Sequence, residues 1–404
     1  MNSFEVVTPE PDQWAQILAV DARNFGLPAD SFTDPVHQEI QPLERFRVAW
    51  DADRIVGVVA SVPLQLTLPG GVPVATTGVT WVSVSASHRR RGVLRRLIDE
   101  VHADGRQRGE PVQALFASEA GIYGRFGYGE ITDWWSVELD AASARLHPNG
   151  IVDDDLLPVS DADDLDADGH VAGVFDLVRG VRAGEVNRTD ARWRAFRARW
   201  SKPVGDAVAA RSIVCDGGYA TYRITPQWDV PERGGRPGHV MTVVDLMAAT
   251  PAAHRSLWHR LVHTDLVATI RCGVLAPDDP LPLLLADQRW LRTTSWHDGL
   301  WLRVDDLTAA FVARRYAGEG RVTLSVDGQV VTIESDGQRG ICVSGRAPVD
   351  LEVHARAVGP LLMGADRVSR LVAAGLIVPA GSEALRRAQA FFASDRPVHC
   401  STLF

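Results

Sequence analysis

Apolar and β-branched residues run from Ile55 to Leu68, break at Gly70-Gly71 and resume in alternation from Val72 to Val84. That pattern predicts a hairpin entering a central strand. Val93, Leu94, Leu97, Ile98 and Val101 then fall on one helical face, with Arg95, Arg96, Asp99 and Glu100 elsewhere and Gly105 as a stop. Pro111 to Ala117 reads as another buried strand. Strand, helix, strand in this order predicts a mixed α/β region.

A linker is expected near His147 to Asp168, where Pro148-Asn149-Gly150 precedes clustered aspartates that read as solvated surface. Beyond it, Val174 to Val178 and then Trp193, Phe196 and Trp200 have helical spacing, while Tyr219 to Ile224 and His239 to Leu246 read as strands. A helix over Ala252 to Val262 and a rigid connector, Pro277-Asp278-Asp279-Pro280-Leu281-Pro282, close this second mixed region. From about Gly299 short strands are expected at Leu300 to Val304, Arg321 to Val326 and Gln329 to Ile333, with a tight hairpin at Asp327-Gly328. Val353 to Leu362, Ser369 to Leu376 and Glu383 to Phe392 read as helices. The fold class is therefore α+β, mixed, in three regions: 1–147, 148–285 and 286–404.

Composition agrees with this division, because 404 residues exceed a single core, and 46% hydrophobic with 23% charged residues is ordinary for folded protein. A net charge of -9 gives no general drive toward nucleic acid or anionic lipid. The start, Met1-Asn2-Ser3-Phe4-Glu5, lacks a secretory pattern and no apolar run reaches membrane-spanning length, so cytoplasmic residence with no membrane or nucleic-acid partner is expected. Cys215, Cys272, Cys342 and Cys400 are too scattered for a metal knuckle or redox pair and read as buried free thiols. His88, His102, His259 and His263 could be proposed as bases or metal ligands, but a pair four apart on a helix, as His259 and His263 are, reads as exposed surface, and no metal is implied.

The most informative stretch is Val82-Ser83-Val84, Ser85-Ala86-Ser87, then His88-Arg89-Arg90-Arg91-Gly92-Val93-Leu94 opening the helix. Unpaired amides and aligned peptide dipoles at a helix start bind a diphosphate, Gly92 allows close backbone approach, and the arginines add forked donors. After the next strand comes Ser118-Glu119-Ala120-Gly121-Ile122-Tyr123-Gly124-Arg125-Phe126-Gly127-Tyr128-Gly129. A tyrosine hydroxyl, with an ordinary pKa near about 10, stays protonated at neutral pH and can donate to a leaving thiolate. Tyr123 is the candidate acid; Tyr128 reads as packing.

Arg89-Arg90-Arg91-Gly92-Val93-Leu94 resembles motif A of the GNAT acetyltransferases, Arg/Gln-x-x-Gly-x-Gly/Ala, departing at Leu94. Together with the Tyr123 motif it resembles the Eis family of actinobacterial acetyltransferases. The resemblance covers nearly the whole chain, including Asp279-Pro280-Leu281-Pro282, Asp298-Gly299-Leu300-Trp301-Leu302-Arg303 and the Phe404 ending. It implies tandem GNAT-like domains, the second without a recognisable cofactor loop, and a C-terminal domain similar to sterol carrier protein 2.

The resemblance also implies acetyl-CoA as cosubstrate, held by Val82, Ser83, Val84, Arg89, Arg90, Gly92 and Val93. It implies Tyr123 as general acid and the terminal carboxylate of Phe404 as general base, reached by the apolar ending Val398-His399-Cys400-Ser401-Thr402-Leu403-Phe404. Phe25 and Trp81 are candidate walls of the acceptor pocket. The implied acceptors are aminoglycosides, polyamine-like molecules or lysines, and the implied assembly is a homohexamer. Family members can carry an acidic side chain just before the last residue, and Leu403 lacks it. Two further readings are a non-catalytic carrier of lipid or hydrophobic ligands and a regulatory acetyl-CoA-binding oligomer.

Overall fold

The computed structural model describes residues 4–28, 35–147, 156–162, 169–337, 340–344, 347–364 and 368–404. Most of the acidic stretch expected as a linker lies outside them.

The chain opens with β1 (Phe4–Val7), α1 (Trp14–Phe25), α2 (Val36–Ile40), β2 (Phe46–Asp51), β3 (Arg54–Leu68) and β4 (Val72–Val84). It continues through α3 (Val93–Gln107), β5 (Val112–Phe116), β6 (Gly129–Glu130), β7 (Asp133–Asp140) and β8 (Ser160–Ala162). Next come α4 (His170–Arg179), α5 (Asp190–Trp200), β9 (Arg211–Cys215), β10 (Gly218–Thr225), β11 (His239–Ala248), α6 (Pro251–Val262) and β12 (Val267–Leu275). The short α7 (Leu281–Leu284) leads to β13 (Leu291–Asp298), β14 (Leu300–Val304), α8 (Leu307–Ala313), β15 (Glu319–Val326) and β16 (Gln329–Asp336). The remaining elements are β17 (Gly340–Ser344), β18 (Leu351–Val353), α9 (Ala355–Met363), α10 (Val368–Ala373), β19 (Ile377–Pro379) and α11 (Ser382–Phe391).

These strands make three sheets, ordered β1-β2-β3-β4-β5-β14-β6, β13-β7-β12-β11-β10-β9-β8 and β17-β16-β15-β18-β19. Two compact units result, both discontinuous in sequence. One contains Met1–Thr132, Ala183–Arg192 and Gly299–Phe404, with the first and third sheets; the other contains Asp133–Arg182 and Trp193–Asp298, with the second sheet. The fold is α+β with mixed sheets and flanking helices, as the pattern predicts.

The Gly70-Gly71 hairpin forms, and Asp327-Gly328 turns β15 into β16 with φ 49° and 83°. Three helix expectations are trimmed. Val353 ends β18, and His354 Nδ1 accepts from Arg356 N at 3.2 Å to start α9 two residues later. The helix expected to Leu376 stops at Ala373 as α10, before Gly375 at φ 73°, and the last one is observed as Ser382–Phe391.

Leu300 to Val304 has another fate from the one its neighbours suggest, since β14 pairs antiparallel with β5 and β6 inside the first sheet. Period-two alternation records that a face is buried, not which sheet covers it. Leu300, Trp301 and Leu302 are all buried, as a strand covered on both faces requires.

On one face of the first sheet, α3 packs Leu97, Ile98 and Val101 against Val59, Val79, Leu115 and Trp301. On the other, α1 sets Ile17 and Leu18 against Phe46, Val58, Ala60 and Trp81. Further along that second face Val62, Leu64, Ala114 and Leu302 merge with Leu324, Val358 and Leu361, so the first and third sheets share a core.

Leu302→Ala removes a fully buried side chain there, and its expected cost is about 2–5 kcal/mol, read as a lowered denaturant midpoint.

Candidate active site

β4 and β5 run parallel, and their pairing ends at Gly78 opposite Ala114. Past that pair the strands part. A bulge lies just beyond, since β3 pairs Ala60↔Thr80 and then Val58↔Ser83, leaving Trp81 and Val82 together opposite Val59. Trp81 adopts φ 55°, and the extra residue re-aims the side chains. Val79 and Val82 lie on the α3 side, whereas Trp81 joins the α1 side. Main-chain groups at the bulge are thereby left out of the regular ladder, beside the opening.

The loop from β4 to α3 is held from below. His88 is buried, its Nε2 2.8 Å from Asp51 Oδ2 and its Nδ1 2.9 Å from Ser87 Oγ, while Ser85 N donates to Val56 O at 2.9 Å. The bond to His88 holds the Asp51 carboxyl below its usual range. Both His88 and His102 are buried, and each is anchored by a specific polar partner, which apolar spacing does not reveal. His263 is exposed, as expected of that pair, whereas His259 is half-buried.

Arg90 at φ 61° and Gly92 at φ 87° then turn the chain into α3, and no side chain caps that helix. Its first amides stay open, with Arg89, Arg90 and Arg91 exposed around them. Val93 is buried, and Leu94 packs onto the α3 core. The second sheet has the matching strand–helix turn from β11 to α6, but there Thr250 Oγ1 accepts from Ala253 N at 3.1 Å and Pro251 occupies the first turn. A hydroxyl thus takes the place an anion would need.

Tyr123 opens a 3-10 turn, Tyr123–Phe126, shortly after β5. It is 5% exposed, and burial, with the Glu119 charge, pushes its hydroxyl up to about 12. Among the described residues that hydroxyl has no hydrogen-bond partner. Tyr128, whose ring lies 6.0 Å away edge-on, is different: its hydroxyl donates to Gln113 Oε1 at 3.3 Å and lies 3.1 Å from His102 Nε2. Burial, aided by Arg303 and Arg106, pulls His102 down to about 3, so the imidazole is neutral. Gln113 Nε2 donates to Asp305 at 2.5 Å, Asp305 accepts from Arg303 at 2.7 Å, and Arg303 also donates to the carbonyl of Phe126. This network fixes the turn that carries Tyr123 and confirms Tyr128 as a packing residue.

Phe404 comes to the opening from the opposite face. Its ring lies 5.2 Å from that of Phe116, a Cβ on Gly78 would be 3.0 Å from its Cε2, and Thr80 Oγ1 donates to its terminal oxygen at 3.4 Å. Gly78 and Thr80 alternate with Val79, and Phe116 with Leu115, both of which pack beside Tyr123. Tyr123 and Phe404 therefore flank the parting of β4 and β5 from its two sides.

Acetyl-CoA fits these residues. The uncapped start of α3 suits the pyrophosphate, and Ser83 Oγ is buried with no hydrogen-bond partner among the described residues. Trp81 is 8% exposed, its ring 5.6 Å from Phe46 and 5.9 Å from Trp14, so its indole belongs to the α1 core. Phe25 is exposed at the end of α1, where Gly26 at φ 67° stops the helix. Leu403 is exposed as well.

Sequence reasoning missed Asp21, which sits with Ile17 and Leu18 on the buried face of α1 with Oδ1 unpartnered. An acid in phase with that apolar face was the available signal. Burial pushes its carboxyl up to about 6. Cys215, Cys272 and Cys400 are buried and Cys342 half-buried, and all four are free. Burial raises each thiol, Cys342 and Cys215 to about 11, so none is an activated nucleophile at neutral pH. Among the described residues no metal-holding group of three His, Cys, Asp or Glu occurs, and no helix is long and apolar enough to cross a membrane.

The splayed strands, the open helix start and the tyrosine define a GNAT acetyltransferase. Profiles of the acetyltransferase (GNAT) domain match residues 5–131 and 184–304, and that of the sterol carrier protein domain matches 289–401. The chain is 33% identical to N-acetyltransferase Eis of Mycobacterium tuberculosis, with 98% of each chain covered. An uncharacterized N-acetyltransferase of Streptomyces griseus is 31% identical over the same shares. The crystal structure of Eis1 from Mycobacterium abscessus superposes with a TM-score of 0.85 at 28% identity, covering 99% of this chain and 100% of that one. This chain belongs to the Eis family of N-acetyltransferases. It is an acetyl-CoA-dependent enzyme.

Gly92→Ala forces a side chain into a left-handed conformation costing about 1–2 kcal/mol, and should weaken acetyl-CoA binding by calorimetry some ~5–30-fold. For Asp21 the raised folded pKa means that the native state holds its proton more tightly than the unfolded chain. Stability then falls as pH rises from the ordinary carboxyl range through about 6. Asp21→Asn should remove that slope, adding about 2 kcal/mol in melts at pH ~8 and little at pH ~4.

Proposed function

We propose that the enzyme transfers the acetyl group from acetyl-CoA directly to a primary amine in a ternary complex, with Tyr123 as general acid and the Phe404 carboxylate as general base. The observation that carries this reading is their arrangement on opposite faces of one gap, beside the uncapped α3. The acyl donor supplies an activated carbonyl carbon and a thiolate leaving group. As the amine attacks, a C–N bond forms and the C–S bond breaks.

Tyr123 donates its proton to the departing sulfur; its high pKa keeps it protonated beforehand and makes it a donor across the neutral range. The Phe404 carboxylate accepts the proton that the amine nitrogen sheds. Solvent then returns a proton to the phenolate and removes one from the carboxyl. Val82, Ser83 and Val84 run beside the pantetheine arm, and main-chain groups at the bulge polarise the carbonyl. Arg89, Arg90, Gly92 and Val93 hold the pyrophosphate.

The acceptor belongs to the aminoglycoside, polyamine-like or lysine class, a reading supported by the family, and Leu403 in place of an acid predicts weak preference for polycations. Phe25, exposed at the end of α1, bounds the acceptor side, whereas the Trp81 indole packs in the α1 core. A cytoplasmic homohexamer belongs to the same proposal on the resemblance alone.

CoA release measured across an amine panel tests this. Tyr123→Phe should lower kcat by about 10²–10⁴-fold with little change in the KM for acetyl-CoA, and one residue added after Phe404 should do the same. Amine-dependent release untouched by either change would sink the assignment. Tight acetyl-CoA binding without release for any amine would favour a regulatory oligomer.

A further inference from the structure

Residues Ala183–Arg192 connect two helices of the second region in sequence yet fold into the unit that holds the active site. They lie along the free edge of β3. Gly184 N donates to Thr67 O at 2.8 Å, Thr67 N to Glu185 O at 2.9 Å and Asn187 N to Gln65 O at 3.2 Å, with Gln65 N bonded to Asn187 Oδ1 at 2.7 Å. The chain end runs against this strap, residue by residue.

His399 N donates to Ala183 O at 3.0 Å. Gly184, at φ 96°, has no room for a side chain, because a Cβ would stand 2.4 Å from Val398 Cγ1 and 2.9 Å from His399 O. The buried Glu185 carboxylate accepts from Ser401 N and from Ser401 Oγ, each at 2.8 Å through Oε2. Arg188 donates to Thr402 Oγ1 at 2.9 Å and to Ser401 Oγ at 3.1 Å. Arg192 Nη1 donates to the carbonyl of Leu403 at 2.7 Å.

Three charged side chains, each at least nine-tenths buried, thus grip three consecutive residues before the last. Burying charge is expensive, and a stretch of chain end could be held by apolar packing alone. Burial and the neighbouring Arg188 pull Arg192 down to about 10, and it holds a neutral carbonyl. Among the described residues no ion pair reaches the terminal carboxylate itself, which receives the Thr80 hydroxyl. A cation on that carboxylate would weaken it as a base; a grip on the Leu403 carbonyl, one residue earlier, fixes its position without placing that charge on it.

We propose that Arg192, supported by Glu185 and Arg188, is a positioning residue that sets the Phe404 carboxylate in the gap between β4 and β5. The proposal rests on the reading of that carboxylate as the base. It assigns catalytic consequence to a segment far in sequence from the cofactor loop.

Steady-state CoA release by the full chain, with acetyl-CoA and a panel of diaminoalkanes, an aminoglycoside and a lysyl peptide, tests it. Arg192→Ala should lower kcat by about 10–100-fold, the scale of an ångström-sized misplacement, with the KM for acetyl-CoA within about twofold. Methylguanidinium should restore part of that rate. Arg192→Lys, which keeps the charge and loses the fork, should fall between. In a chain extended by one residue after Phe404, already slow, Arg192→Ala should cost less than about twofold more, because the two changes act on one function.

A folded Arg192→Ala enzyme with unchanged kcat, or a slowed one that guanidinium cannot rescue, overturns the positioning role while leaving the base intact if the extension abolishes activity. Full activity of the extended chain overturns the base reading, and the proposal with it. If Arg192→Ala does not fold, Arg192→Lys and Arg188→Lys decide, unchanged kcat in both overturning the proposal.

Discussion

Everything at the active site depends on two parallel strands that stop pairing. Up to Gly78 and Ala114, β4 and β5 share a ladder; past them, unsatisfied main chain faces a gap. In most of a protein such a gap would be costly, since backbone groups removed from water need partners. Here the bulge at Trp81 and Val82 breaks the regular ladder beside the uncapped start of α3, and the Ser83 hydroxyl is buried with no hydrogen-bond partner among the described residues.

The second sheet shows how little separates an open helix start from a capped one. It repeats the strand, helix and parallel strand, β11, α6 and β12, with similar apolar faces. What differs is the first turn of the helix. Thr250 closes it and Pro251 removes a donor, where the first sheet has an uncapped left-handed Gly92. Capping stabilises a helix by about 1 kcal/mol and makes it useless for holding phosphate. α3 forgoes that stabilisation, and the loop before it is held by the His88–Asp51 contact.

Local elements were largely legible in the sequence, because hydrophobic period and turn residues act over a few positions. The β3–β4 hairpin, α3 and the Asp327-Gly328 turn follow directly from them. The turn into α3 and the buried turn at Tyr123 were legible through motifs that act over a few residues. The placement of β14, the grip of residues 183–192 on the chain end, and the burial of His88 and His102 were not, since each depends on partners that no periodicity encodes. Asp21 lies between these cases: its phase on α1 places it inside, but a pattern cannot tell that no partner awaits it.

The interleaving of the first sheet also sets an order of events during synthesis. β5 emerges from the ribosome early, yet its antiparallel neighbour β14 is nearly two hundred residues downstream, after every strand of the second sheet. The unit containing β7 to β13 can therefore close first, while β5 waits with an open, apolar edge. Long-range pairing of this kind folds slowly and exposes nascent chains to wrong partners. Catalytic competence comes last in time, and the window before β14 arrives is when this protein would depend most on a chaperone.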